Sequence, residues 1–261
     1  NKNEQNSNGI RLDITNEEDT KKIIKKINPD IVIHTAALTN VDLCETNHEL
    51  ADAINANGTK NIVEGCKING SKIIYISTSF VFDGRKSEYY EEDQVSPSTH
   101  YGITKQKGEQ HVIKSKLPYL ILRTDQPYGW TKKWQHSNSV IRTIKTLKTK
   151  KELKEIVDWY NTPTYVPDFG KAVLELINRK STGIYHVVGS NYINRLNWSL
   201  LVADIFQLNK NLIKPIKSKE LSLIAKRVNV NLKNQKLFED TGIQMRGIKE
   251  GLQHMLDEVS T

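Results

Sequence analysis

Thr78, Tyr101 and Lys105 are the side chains whose types and spacing can carry a chemical step. Tyr101 and Lys105 stand four residues apart in a helix-like stretch, so both leave one helical face. An ammonium beside a phenol favours the phenolate, which should bring the phenol pKa from about 10 toward the working pH and make Tyr101 a usable general acid. A carbonyl that accepts hydride needs a proton on its oxygen. The Thr78 hydroxyl can hold that oxygen while Tyr101 delivers the proton. Thr78 lies in the hydroxyl run Ser77-Thr78-Ser79, directly after an apolar run, where a buried strand should end. The C-terminal ends of parallel strands are where open α/β sheets bind ligands.

The elements that must position these residues are legible from periodicity. Glu17 to Ile27 reads as a helix capped at Thr15-Asn16, and Pro29-Asp30 turns into a strand over Ile31–Thr35. Ala51 to Asn69 reads as one helix stopped by Gly70, followed by the strand Lys72–Ser77. Tyr101 to Ser115 is a further helix and Leu117–Arg123 a further strand. The rhythm loosens beyond Arg123, then returns in Glu155–Asp158, the helix Asp168–Asn178 and the strand Ile184–Val188. This alternation predicts an α/β fold with a doubly wound parallel sheet. We expect a Rossmann-like domain over residues 1–188, with 126–151 contributing to a smaller substrate lobe, and the lobe itself, helical, over 189–261. The Asn-rich start, Asn1 to Asn8, is expected to be a loop or a frayed end.

Composition narrows the class. The chain of 261 residues is long enough for a full apolar core. Its 38 Lys and Arg against 30 Asp and Glu leave a net charge of +8, but the basic residues are scattered over helix-like polar stretches and no nucleic-acid-binding motif is present. Cys44 and Cys66 stand apart without metal-ligand spacing, so neither a disulfide framework nor a metal site is indicated, and a cytoplasmic setting is expected. The apolar runs are far shorter than the roughly 20 residues of a membrane helix. His34, His111 and His186 sit in periodic elements and read as packed or surface residues rather than ligands.

Around the trio the chain carries Asp13-Ile14-Thr15, His34-Thr35-Ala36-Ala37-Leu38-Thr39-Asn40-Val41-Asp42, Ser77-Thr78-Ser79-Phe80-Val81-Phe82-Asp83-Gly84 and Tyr101-Gly102-Ile103-Thr104-Lys105. Later come Arg123-Thr124, Tyr128-Gly129 and Asn161-Thr162-Pro163-Thr164. Together these resemble the extended short-chain dehydrogenase/reductase superfamily and, within it, the dTDP-4-dehydrorhamnose reductase family of sugar-nucleotide reductases. The resemblance implies NADPH or NADH as cofactor and a nucleoside-diphosphate 4-keto-6-deoxysugar as substrate, with no nucleic-acid or membrane partner and a homodimer allowed for. It implies cofactor contacts from Asp13, Ile14, Ala36, Ala37, Leu38, Ser77, Tyr101, Lys105, Arg123 and Gln126. For the substrate it implies Thr78 and Ser79. Chemistry and placement add Tyr128, Trp130, Trp134 and His136 as flat rings after a strand, and Arg227 as a fork for phosphate.

Departures from the family pattern also carry meaning. Ser79 replaces the usual Asp after the threonine, and Val228 replaces a Pro after the basic pair Lys226-Arg227. Related dehydratases place an acidic pair where Ser79-Phe80 stands, so reduction is expected over elimination of water. The written chain opens just before what resembles the family's third strand. The resemblance therefore implies an upstream strand, Gly-x-x-Gly-x-x-Gly turn and helix for the pyrophosphate. Two other readings share the motifs: a non-catalytic binding subunit like the regulatory subunit of methionine adenosyltransferase, and a sugar-nucleotide epimerase.

Overall fold

The first helix, α1 (Glu17–Ile27), starts where Asn16 accepts a hydrogen bond from the Asp19 N–H and ends at Asn28, whose left-handed φ of 50° closes the last turn. The computed structural model describes residues 9–132 and 135–260. Residues 1–8, and with them the expectation for the Asn-rich start, lie outside the described residues, as does Trp134. After α1 come β1 (Ile31–His34), α2 (Val41–Thr46) and α3 (His48–Ala51). A π-helical turn over Asp52–Asn57 leads into α4 (Gly58–Asn69), then β2 (Lys72–Thr78), a 3-10 turn over Ser79–Val81, α5 (His100–Lys114) and β3 (Tyr119–Thr124).

The chain continues through β4 (Pro127–Tyr128), α6 (Ser139–Lys148), β5 (Leu153–Ile156), β6 (Tyr160–Asn161), β7 (Thr164–Tyr165), α7 (Val166–Asn178) and β8 (Gly183–His186). It ends with β9 (Ile193–Asn194), α8 (Arg195–Ile205), β10 (Ile213–Ile216), α9 (Gln235–Thr241) and α10 (Ile248–Ser260). The central sheet is parallel with order β1-β2-β3-β8, and Ile31 to His34 lie opposite Lys72 to Tyr75. This is the α/β, Rossmann-like architecture that the alternation predicted.

Two compact units form. The first runs to Val81 and includes Val95–Leu122 and Thr182–Ile184; the second holds Phe82–Gln94, Arg123–Ser181 and the chain from Tyr185 on. In the first, Ile73, Tyr75 and Ile121 of the sheet meet Ile24, Ile62, Val63, Cys66 and Val112 of the helices in one core. Each such large side chain contributes about 1.5–3 kcal/mol on burial. Helices α1 and α4 approach closely because Gly65 lies under Ile24, where an added Cβ would come within 2.6 Å of Ile24 Cδ1.

In the second unit, α6, α8 and α10 pack around Tyr128 and Tyr165, with Trp198 supplied by α8 itself. The segment after Ser190 is not purely helical, since β10 pairs in parallel with β5 and β9 pairs antiparallel with β6. Those strands are two to four residues long, too short to announce themselves by periodicity. The stretch Ala51 to Asn69 is helical throughout and ends at Gly70 as expected, but it is not α-helical throughout. The π turn widens it at Asp52–Asn57 and directs Asn55 into the interior.

Candidate active site

Thr78 is the last residue of β2, and the 3-10 turn Ser79–Val81 continues from it, with Thr78 Oγ1 accepting from the Phe80 N–H at 3.3 Å. Thr99 caps α5 by accepting from the Gly102 N–H at 3.1 Å. The first turn of that helix then packs on the 3-10 turn: Tyr101 meets Phe80 edge to face at 5.6 Å. A Cβ on Gly102 would overlap the Phe80 carbonyl oxygen and the Pro97 ring. Only glycine allows so close an approach. Thr78, Ser79, Tyr101 and Lys105 are all buried.

Lys105 points inward along the same helix face. Its Nζ donates to the Ile76 carbonyl oxygen at 2.8 Å and lies 4.1 Å from the centroid of the Tyr75 ring. Burial pushes the ammonium down to about 7, opposed by the negative charge of Glu109 one turn further on. Glu109 is itself buried and accepts from Ser77 Oγ at 2.6 Å, which gives Ser77 a place in the helix-strand junction. His34, at the end of β1, bonds Thr59 Oγ1 at 3.0 Å and is held neutral, its pKa pushed down to about 3 by burial and by the Lys105 charge.

The segment after β1 leaves Ala36 exposed and Ala37 and Leu38 half-buried. It is anchored by Asn55, whose Oδ1 accepts from the Leu38 N–H at 2.7 Å while Nδ2 donates to the Leu38 carbonyl and to Thr104 Oγ1, both at 3.0 Å. Thr104 Oγ1 in turn donates to the Tyr101 carbonyl at 2.8 Å. One buried amide therefore links the strand-end loop to the helix of Tyr101. The Asp13-Ile14-Thr15 turn rests on α4: Asn61 Nδ2 donates to the Ile14 carbonyl at 2.9 Å, and Gly58 leaves the space that Ile14 occupies. Asp13 is exposed and takes both bonds from Thr15 on Oδ1, which hold its carboxyl below the usual range.

The remaining candidates belong to the second unit. The Arg123 guanidinium is buried, 5.0 Å over the Phe82 ring and donating to the Glu91 carbonyl at 3.3 Å. Gln126 accepts from Arg195 Nη1 at 3.2 Å. Tyr128 is 1% exposed and packs against Tyr165 and Trp198. Trp130 keeps 42% exposure and donates Nε1–H to the Met255 carbonyl at 2.8 Å, and His136 is exposed. Arg227 donates to the Ala225 carbonyl at 2.8 Å and stacks 5.6 Å from the Trp159 ring. His186 is buried and neutral, pushed down to about 3 by burial first and the Arg123 charge second.

The family model for the RmlD substrate binding domain matches residues 3–261. The chain belongs to this family. A dTDP-4-dehydrorhamnose reductase from Bacillus anthracis, solved in complex with NADP, superposes with a TM-score of 0.89 at 31% identity over 95% of this chain and 87% of that one. The dTDP-4-dehydrorhamnose reductase of Aggregatibacter actinomycetemcomitans is 28% identical over 89% of this chain and 82% of its own length. The methionine adenosyltransferase 2 subunit beta of Xenopus laevis is 30% identical over 92% of this chain and 75% of its own length.

Sequence reading missed Asn55, Gly58, Asn61 and Glu109 as members of this arrangement. Asn55 and Glu109 carry polar groups on buried helix faces, a signal visible only once the faces are known. Gly58 inside a helix was the one local hint, since an interior glycine costs helix stability and is kept where something packs against it.

Proposed function

We propose that this protein reduces the 4-keto group of a nucleoside-diphosphate 4-keto-6-deoxysugar with NADPH or NADH, as a dTDP-4-dehydrorhamnose reductase does, in the cytoplasm. The observation that carries this reading is the burial of Tyr101 and Lys105 one helical turn apart, with the first turn of their helix packed on the turn that follows Thr78.

The residues present fit a dinucleotide. Lys105 spends one of its three N–H bonds on Ile76 and keeps two, Asp13 keeps Oδ2 for an N–H donor, and the small side chains of Ala36 and Ala37 leave the backbone after β1 open. Asp13, Ile14, Ala36, Ala37, Leu38 and Lys105 would hold it. When bound, the reduced nicotinamide supplies the hydride that the carbonyl carbon takes up. Thr78 orients the carbonyl oxygen, and Tyr101 gives its hydroxyl proton to that oxygen as charge develops there. The Lys105 charge lowers the cost of the phenolate left behind. The closed packing of Phe80, Gly102 and Pro97 holds the Tyr101 backbone so that its hydroxyl needs no search for position.

The test is NADPH oxidation by the full-length protein with dTDP-4-dehydrorhamnose. Tyr101→Phe should lower turnover about 100-fold while leaving the thermal midpoint near that of the parent. Undiminished turnover in Tyr101→Phe overturns the mechanism. The 30% identity to a methionine adenosyltransferase subunit supports a second reading, a non-catalytic binding subunit. Copurification with a synthetase, and no NADPH oxidation with substrate, would favour it.

A further inference from the structure

Glu109 is a buried carboxylate on the same face of α5 as Lys105, one helical turn further on. The two side chains are tied to consecutive residues of β2. Lys105 Nζ donates to the Ile76 carbonyl oxygen at 2.8 Å, and Ser77 Oγ donates to Glu109 Oε1 at 2.6 Å. One strand therefore fixes the spacing of amine and carboxylate. The helix comes this close to β2 because residue 108 is glycine, where an added Cβ would overlap the Tyr75 hydroxyl.

A carboxylate is costly to bury unless it answers a nearby cation. The groups facing Lys105 are His34 at the end of β1, Tyr75 on β2, and Tyr101 and Glu109 on α5. His34 is held neutral, and burial raises the Tyr75 phenol well above its usual range, so it too is neutral. The negative charge that acts on the amine is that of Glu109. Burial pushes the amine down to about 7, and the Glu109 charge opposes that fall. A neutral amine beside Tyr101 would give the phenolate no countercharge.

We propose that Glu109 is a positioning residue that holds the Lys105 amine in its ammonium form for the proton transfer from Tyr101. The inference rests on the reductase reading for the part played by Tyr101, whereas the coupling of Glu109 to Lys105 needs only the fold of the first unit. Glu109 acts through the charge of Lys105 and not through contact with the ligand.

Glu109→Gln tests this, because glutamine keeps the volume and an oxygen that accepts from Ser77 while removing the charge. In the full-length protein, carbon NMR of the Lys105 side chain should show its titration midpoint falling by about one pH unit or more, at a near-parental thermal midpoint. With NADPH and dTDP-4-dehydrorhamnose, turnover at neutral pH should fall about tenfold, and the alkaline limb of the rate profile should move to lower pH together with the NMR midpoint. Glu109→Asp keeps the charge and should recover most of both. Turnover must follow the Lys105 midpoint in each variant, so a loss of turnover without a fall in midpoint, in either one, overturns the proposal. So does a lowered Lys105 midpoint in Glu109→Gln at parental turnover. A parental protein that oxidises no NADPH with this substrate instead defeats the reductase reading, and this inference with it.

Discussion

Lys105 Nζ donates to the Ile76 carbonyl oxygen at 2.8 Å, so helix α5 and strand β2 share one buried cation beneath the first turn that carries Tyr101. The amine is held there at an electrostatic cost, because burial brings its pKa from 10.5 down to about 7.

That cost has a pH signature. Between about 7 and 10.5 the unfolded chain holds a proton on Lys105 that the folded chain has released. Stability should therefore rise with pH across this window, by at most roughly 1.4 kcal/mol per unit, and the penalty is fully present below it. Lys105→Met should remove the slope and gain most over the parent near pH 6. Urea unfolding at pH 6, 8 and 10 measures it, and parallel profiles for parent and variant would contradict the burial argument.

Acid should act through the buried imidazoles. His34 and His186 are lowered from 6.5 to about 3, so the stability their neutral forms allow is complete above 6.5 and is lost as pH falls toward 3. Each contributes a slope of up to roughly 1.4 kcal/mol per pH unit in that window. Replacing His34 by Gln should flatten the profile between pH 6 and 4 in chemical denaturation, although the variant starts from lower stability at pH 7.

Two glycines in helices should respond with opposite signs to alanine. Gly170 in α7 has nothing within 4 Å of an added Cβ, so Gly170→Ala should stabilise by about 0.5–1 kcal/mol. In Gly102→Ala the same helix gain is outweighed by collision with the Phe80 carbonyl and Pro97, for a net loss of about 1–3 kcal/mol. Thermal denaturation of both separates propensity from packing. Equal shifts would mean that α5 does not sit on the 3-10 turn as described.

Asn55→Ala should leave the Leu38 N–H and carbonyl and the Thr104 hydroxyl without their shared partner, a loss of about 2–4 kcal/mol. Asn55→Asp should not rescue it, because a carboxylate can accept from the Leu38 N–H but meets the Leu38 carbonyl oxygen as one acceptor against another. Hydrogen exchange at the Leu38 amide reports the anchor directly, and unchanged protection in Asn55→Ala would sink it.

The amino-acid sequence by itself determined what rests on near neighbours. The four-residue interval from Tyr101 to Lys105 puts both on one face of any helix, the apolar run Ile73–Ile76 followed by hydroxyls marks a strand end, and Gly70 stops α4 with φ of 72° as a helix-ending glycine should. The alternation of such segments was enough for the α/β class. Tertiary structure alone decided which polar groups meet across long separations. Asn55 reaches Leu38 over 17 residues and Thr104 over 49, Ser77 reaches Glu109 over 32, and Arg195 reaches Gln126 over 69. It also gathered Tyr128, Tyr165 and Trp198 into one core cluster. The physical reason is that periodicity records which face of an element is apolar, whereas hydrogen-bond partners and close approaches depend on which other face packs against it. A buried amide is invisible until that packing is known.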